Sequence, residues 1–427
     1  MQTETGIDYQ PTSIPRLIPE IEIMRFDTSE RDQKYLLVHP NGRRWQISEA
    51  LHTIVTHIDG ASTTAEIAER VSKDTNCAIS APDVSRAIWG FLSNIKIVED
   101  PVRPYVHFRE VYTEARRLQT NLTLRINLLP VRVLDPATAV LQYLFNRWIG
   151  LLVAVTVFGI QAAWFTRNPQ AFYPEWRSLR GPDWMLVLGL LYASYFIHEF
   201  GHLAACKWMG ARHGPLGFGV YLVFPRLFAD LTDTWRLSRS ERVVIDIAGV
   251  YFQSAFAAAL MVAHMTNHRP AYLMAAAVID LTALENLNPF FKLDGYWLLS
   301  DAFGVANLDQ KARWLLDSGL RNTFNFDSKT LAFICCYFVA TVGFSTFILY
   351  RVAVYIPHLL VNQYPLLVLR FWRSLGRAAS SHRVGPAVTA LFRLLAPTGM
   401  IVGIFLMTYR YLKRAVETLT QLRRRFQ

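Results

Sequence analysis

The sequence predicts a polytopic α-helical membrane protein of about six transmembrane helices, with a small α+β domain at its N-terminus. Three observations predict it. Hydrophobic residues make up 52% of the 427 and charged residues only 18%. The apolar residues gather into long uncharged runs whose ends carry arginine, lysine and aromatic side chains, the pattern of membrane spans and their interfacial anchors. Residues 25–100 differ, with the mixed composition and turn signals of a soluble domain.

The formal net charge of +11 raises nucleic acid as a partner. Here the arginines and lysines sit mainly beside apolar runs, where they anchor the chain at the lipid surface, so the expected partner is the bilayer and not nucleic acid. Four cysteines, Cys77, Cys206, Cys335 and Cys336, show no paired ligand spacing and are expected to pack, not to cross-link. The first residues, Met-Gln-Thr-Glu-Thr-Gly, form no basic, apolar signal region. The expected location is therefore a bacterial inner membrane, with the N-terminal domain in the cytoplasm.

Residues 1–24 hold Pro11, Pro15 and Pro19 among polar neighbours and are expected to form a loose arm. In residues 25–100, Lys34–His39 and Arg43–Ser48 flank Pro40-Asn41-Gly42, the signature of a β-hairpin with an Asn-Gly turn. Ser48 is placed to cap a helix carrying Leu51, Ile54, Val55 and Ile58, which ends at Asp59-Gly60. Thr63 or Thr64 caps a second helix with Ile67, Ala68 and Val71, and Asp83 opens a third with Val84, Ile88, Phe91 and Leu92 inward. A hairpin followed by three short helices is a winged-helix pattern. Its third helix holds only Arg86 and Lys96 as cations, too few for a helix that contacts phosphates.

Residues 101–147 form a basic connector, and residues 148–427 the membrane part. Uncharged or nearly uncharged runs predict spans at 148–166, 184–206, 243–265, 271–301, 331–350 and 394–409. Residues 216–224 are apolar, punctuated by glycine and partly alternating, which fits a strand or hairpin dipping into the membrane or a short interfacial segment. Residues 352–369 contain two prolines, His358 and Asn362 and are expected at the interface or only partly in the bilayer. The positive-inside rule puts the segments 207–242 and 302–329 with the N-terminal domain in the cytoplasm; Arg370, Arg373, Arg377 and Arg383 break the alternation.

The chemistry concentrates in residues 194–206. His198 and His202 are one helical turn apart, so both imidazoles leave the same face, as two metal ligands require. Glu199, beside the first, can take the proton of an attacking water. The surrounding residues are apolar, and ionisable groups in such a bed are costly and functional by default. A later stretch, Asn286-Leu-Asn-Pro-Phe-Phe-Lys-Leu-Asp-Gly295, adds Asp294 as an oxygen ligand. Two His and one carboxylate leave a fourth position open, the catalytic arrangement of zinc. Asp280 and Glu285 precede this motif without its spacing, and Asp246 is expected at a helix end or paired.

HExxH in one membrane helix and Asn286, Pro289, Asp294 and Gly295 in another resemble the site-2 protease family of intramembrane zinc metalloproteases, over roughly residues 184–301. The resemblance implies zinc on His198, His202 and Asp294, Glu199 as general base, and Asn286 as a donor to substrate backbone or oxyanion. Where that family often has Gly-Pro in the intervening helix, this chain has Gly249-Val250, which leaves a packing role for Gly249. The His-Pro-Asn-Gly turn, Asp59-Gly60, Thr64-x-Glu66-Ile67-Ala68 and Asp83-Val84 resemble the PqqD-like domain of ribosomally made, modified peptides. That likeness implies a leader peptide bound by residues 25–100 as an added strand. The expected function is an endopeptidase maturing or exporting such a peptide. Cleavage of a membrane-bound regulator and a non-catalytic peptide-binding export or immunity component are the alternatives, and the intact Glu199 argues against the last.

Overall fold

In a computed structural model of the chain, a three-stranded antiparallel sheet opens the fold: β1 (Glu22–Phe26), β2 (Lys34–Val38) and β3 (Arg44–Ser48), in the order β1-β2-β3. The structure describes residues 14–30, 33–41, 43–99, 122–168, 178–221, 224–317 and 326–381, with scattered residues beyond. The connector segment 101–121 and most of 394–409 lie outside them. The chain divides into two units: residues 1–120, 235–239 and 300–333 in the first, and 121–234, 240–299 and 334–427 in the second.

In the first unit, β2 and β3 form the hairpin that the Asn-Gly turn predicts, paired from Lys34↔Ser48 to Val38↔Arg44. The strand β1, paired Glu22↔Val38 to Phe26↔Lys34, has no counterpart in the sequence reading. It begins inside the stretch read as an arm, and Leu17 bridges to Val98. Nothing local marks β1 as a strand, because its order comes from pairing with β2. The His39 N–H donates to the Arg43 carbonyl at 2.8 Å, which makes 39 and 43 a hydrogen-bonded pair. By alternation, residues 45 and 47 also face β2, whereas the main-chain groups of Arg44, Gln46 and Ser48 point outward. With β1 covering β2, the outer edge of β3 is the hairpin edge that no strand pairs with among the described residues.

Three helices close this sheet: α1 (Glu49–Thr56), α2 (Thr64–Thr75) and α3 (Ala81–Ser85), the last continuing as a π-helical turn to Leu92. Ser48, Thr63 and Ser80 cap them, Thr63 with Glu66 as a reciprocal capping box. Leu37, Ile47, Val55, Ile67, Val71, Val84, Ile88 and Leu92 form the core, all nearly inaccessible. The β1–β2 connection is held within the same unit by charge. The Arg239 guanidinium is 3.2 Å from Asp27, and Lys311 pairs with Glu30.

The second unit carries its own antiparallel sheet, ordered β4 (Leu122–Leu129), β5 (Leu216–Tyr221) and β6 (Phe224–Ala229). Residues 216–224 are thus part of a hairpin, and β4, drawn from the segment read as a basic connector, is its third strand. Helix α4 (Val131–Leu141) follows β4. The long helices are α5 (Arg147–Arg167), α6 (Gly181–Trp208) and α7 (Arg239–Asn267), then α8 (Pro270–Asn286), α9 (Asp294–Phe303), α10 (Leu308–Asp317), α11 (Ser328–His358) and α12 (Tyr364–Ser381).

Among the described residues, three helical stretches are long and apolar enough to cross a membrane: Arg147–Arg167, Arg239–Asn267 and Ser328–Gly376. The expected 271–301 span is two helices, α8 and α9, separated at Leu287–Leu293 by the Asn-Pro break. The last stretch runs on beyond the expected 331–350 span and through residues 352–369, expected at the interface or only partly in the bilayer. A π-helical turn at Leu359–Gln363 joins α11 to α12. Pro365 removes one helical N–H and crowds the carbonyl of Val361 in the turn before it, and the wider turn at Leu359–Gln363 accommodates it without ending the helix.

Candidate metal centre and active site

Helix α6 presents the first two candidate ligands. Its start is set by Pro182 in the first turn and by Asp183, whose carboxylate accepts the Arg180 N–H at 2.9 Å. Its end is closed by the Ala211 N–H on the Cys206 carbonyl at 3.0 Å. Between them, His198 and His202 are buried on one face with ring centroids 4.8 Å apart. Helix α7 lies against that face.

A chain of hydrogen bonds fixes the two rings. The Ser194 and Thr282 hydroxyls each donate to a carbonyl of their own helix, Leu191 at 2.7 Å and Ile279 at 2.8 Å. They therefore accept from the side-chain amide of Gln253, whose Nε2 lies 3.3 Å from Ser194 and 3.0 Å from Thr282. With Nε2 so used, Gln253 presents Oε1 to His198 Nδ1 at 3.1 Å, and that nitrogen must carry the proton. His202 Nδ1 donates to the Ile245 carbonyl at 2.7 Å. Both Nε2 atoms are left as lone pairs, the state in which imidazole ligates a metal. Ile245, Gly249 and Gln253 are spaced by four, so one face of α7 orients both rings.

The third ligand arrives with a fold in the chain. After α8, the segment Leu287–Leu293 turns back: Asn288 Oδ1 accepts the Phe290 N–H at 3.0 Å, and Tyr337 donates to the Pro289 carbonyl at 3.2 Å. Asp294 then begins α9. A Cβ on Gly295 would lie 2.0 Å from the Leu287 carbonyl oxygen, so only glycine allows this return. Asp294 Oδ2 comes to 2.8 Å from His198 Nε2 and 3.6 Å from His202 Nε2, which are themselves 3.1 Å apart.

These residues fit a metal ion. His198, His202 and Asp294 place one ligand atom each within 4.8 Å of the others. Asp294 Oδ2 is buried and has no hydrogen-bond partner among the described residues, and it faces two imidazole lone pairs. Acceptors converging without a donor call for a cation. Tetrahedral zinc with bonds of about 2.0–2.1 Å holds its ligand atoms roughly 3.3 Å apart, in the middle of the observed separations. A Cβ on Gly249 would stand 2.5 Å from both Nε2 atoms, so the bare glycine keeps open the space between the ligands.

Glu199 is partly buried beside this cluster, and its carboxylate faces the backbone N–H of Ala229 on β6. That contact agrees with the pairing of the sheet. Asp230 donates to Pro215 at 3.2 Å and accepts from Gly214 at 2.7 Å, so 230 faces β5 and residues 229, 227 and 225 face away. Pro225, which has no N–H, sits where an edge strand tolerates it. No strand pairs with this edge among the described residues. Asn286, at the end of α8, is buried, and its Oδ1 accepts from Arg226 at 3.0 Å. Guanidinium only donates, so the Asn286 Nδ2 is left to donate in turn.

Three carboxylates near the motifs stand apart from the metal cluster. Asp280 accepts from Gln161 at 3.0 and 3.2 Å, Glu285 is 3.7 Å from Arg226, and Asp246 does not join the group. Gln253, the Ile245 carbonyl and the Ala229 N–H escaped the sequence reading. Only Gln253 left a signal: a polar amide within an apolar helix, one turn after Gly249.

No family model matches the chain, and no solved structure matches it. Over 133 residues the chain is 27% identical to a Bacillus subtilis (strain 168) protein named "Putative peptide zinc metalloprotease protein YydH". The match takes in 31% of this chain and 52% of that protein, so the chain spans about half the length of the curated relative it matches. In short, the distant relative bears the name of a peptide zinc metalloprotease, and this chain holds a His-His-Asp cluster of the kind that binds a metal.

Proposed function

We propose that this protein is a membrane-embedded zinc endopeptidase of the site-2 protease type, maturing a ribosomally made peptide whose leader is taken up by a PqqD-like domain at residues 25–100. The observation that carries the catalytic part is the convergence of His198, His202 and Asp294 on one point beside Glu199, with both histidines held as neutral Nε2 donors of electrons. The name of the distant relative supports a peptidase role. The inner membrane, with residues 25–100 on its cytoplasmic side, is the proposed location.

Zinc held by these three residues supplies Lewis acidity to the scissile carbonyl and to water. The protein's own groups do the rest. The free edge of β6 takes the unwound substrate as an added strand, pairing through the outward N–H and carbonyl of Leu227. This places the peptide alongside the strand whose Ala229 N–H faces Glu199. Glu199 takes the proton of the attacking water and returns it to the leaving amine. Asn286, turned by Arg226, directs its Nδ2 at developing negative charge on the substrate. The leader pairs with the outer edge of β3.

The test uses full-length protein in detergent. One zinc per chain is expected, lost in the His198→Ala/His202→Ala variant. Glu199→Gln keeps the metal and loses cleavage of leader-bearing peptides by about 100- to 10,000-fold. Cleavage at the wild-type rate by Glu199→Gln would refute the peptidase mechanism, and equal cleavage of leaderless peptide would refute the leader.

A further inference from the structure

On the far side of α7 from the metal cluster lies a second feature with chemical content. Between α5, α7 and the turn Gln142–Phe145 the structure has a cavity of about 360 Å³. Gly150, Leu151, Ala154 and Phe158 line it from α5, and Ile247 and Tyr251 from α7. The wall is mainly apolar, with Asn146 and Arg147 at the start of α5 and Tyr251 and Ser254 on α7 as its polar members. The Tyr251 hydroxyl is buried and has no hydrogen-bond partner among the described residues. A tyrosine oxygen in that state calls for an occupant that accepts a hydrogen bond.

The depth order of the groups identifies the occupant. Arg147 opens α5, with its guanidinium 4.8 Å above the Trp148 ring, an arrangement suited to the headgroup level. No carboxylate pairs with Arg147 among the described residues. The Tyr251 ring packs edge-on to Phe145 at 5.8 Å, which keeps it near the same end. From Arg147 to Phe158 the apolar wall runs about 16 Å at 1.5 Å per residue, half of the roughly 30 Å hydrocarbon core, or one leaflet. A cation, then a hydroxyl donor, then an apolar wall one leaflet deep matches phosphate, ester carbonyl and acyl chain.

We infer that this cleft binds one glycerophospholipid, its phosphate on Arg147, an ester carbonyl on Tyr251 and an acyl chain along α5. An acidic headgroup is preferred, because Arg147 brings a charge that no carboxylate among the described residues offsets. The inference rests on the membrane reading of α5 and α7 and is independent of the peptidase reading. It gives the cleft a role, since the opposite face of α7 carries Ile245, Gly249 and Gln253. A filled cleft braces the helix that orients the two histidines.

The experiment is native mass spectrometry of full-length protein, delipidated and titrated with phosphatidylglycerol, with phosphatidylcholine as the comparison. One phosphatidylglycerol per chain is expected to persist at activation energies that strip phosphatidylcholine. Arg147→Gln with Tyr251→Phe should weaken retention about tenfold or more, through loss of a charged hydrogen bond and a neutral one. Ala154→Phe fills the cleft without touching either polar group and should also exclude the lipid. An unchanged size-exclusion profile and far-UV circular dichroism spectrum report that the variants fold. Equal retention by wild type and both variants overturns the proposal, as does retention of phosphatidylcholine equal to phosphatidylglycerol. Alkaline extraction separates the premises: a chain that stays in the membrane but retains no lipid refutes the cleft alone, and a chain released by alkali refutes the spans as well.

Discussion

Gln253→Leu is the most informative single change, because it removes hydrogen bonds and leaves the volume nearly constant. The wild-type amide makes three bonds: it accepts from His198 Nδ1 and donates to Ser194 and Thr282. The two hydroxyls lose little, since each keeps its own bond to a helix carbonyl. His198 loses the partner of its Nδ1, at a site where water has little access. An unmet buried N–H costs about 1–3 kcal/mol, equivalent to roughly 5- to 150-fold in an equilibrium constant. The ring can escape that cost by moving its proton to Nε2, which then points at Asp294 and occupies the ligand position. Either route weakens zinc, and outer-shell partners of ligating histidines are typically worth about 10- to 100-fold in affinity. Gln253→Leu should therefore bind zinc about 10- to 100-fold more weakly, read by competition against a chromophoric chelator in detergent. Gln253→Glu keeps an acceptor for Nδ1 but cannot donate to the hydroxyls, so it should hold zinc close to the wild-type level while melting at a lower temperature. Wild-type zinc affinity in folded Gln253→Leu would refute the hydrogen-bond chain as the device that sets the tautomer.

A methyl group at Gly249 would stand 2.5 Å from both Nε2 atoms; metal analysis of Gly249→Ala should accordingly find almost no zinc in a protein that still folds, and stoichiometric zinc would refute the cradle. Along β3, Gln46→Pro removes an outward N–H and Trp45→Pro an inward one, so the first should abolish leader capture in a binding assay while the second also lowers the melting temperature. Loss of capture with neither change would place the leader elsewhere. The Ser62 hydroxyl and the Ala61 and Ser62 N–H groups hold the exposed Asp59 carboxyl well below the usual range. A depressed pKa in the folded state stabilises above the unfolded value of about 3.9 and is lost as pH falls below it. Hydrogen exchange at Ala61 and Ser62, corrected for intrinsic rates, should therefore lose protection between about pH 4 and pH 2 in wild type, and Asp59→Asn should show a flat profile.

The parts of the fold that could be read from sequence are those fixed by local spacing. His198 and His202 share a face because a helix repeats every 3.6 residues, whatever surrounds it. The Asn41-Gly42 turn and the caps at Ser48 and Thr63 are likewise local. The parts that escaped depend on partners remote in sequence. The strand β1 exists through β2, and β4 through β5, nearly a hundred residues later. Gln253 looks like any polar residue in an apolar helix until Ser194, His198 and Thr282 surround it. Pro357 and Pro365 read as helix breakers, yet the helix runs on, with a wider turn between them. Asn286 had its place from the motif, but Arg226, which decides which end of its amide is free, lies 60 residues away on another element.

The two open sheet edges, β3 and β6, have a consequence for what kind of selectivity such a protein can have. A strand added to an edge is bound through its main chain, and every residue except proline offers the same two groups. Its side chains alternate between the two sheet faces, so only every second one meets the protein closely. A substitution scan of a peptide held this way would show tolerance with a period of two, broken by sharp intolerance to proline at each bonded position. Shifting the register by one residue would exchange the tolerant and intolerant sets. Such a surface measures position along a chain more strictly than it reads residue identity.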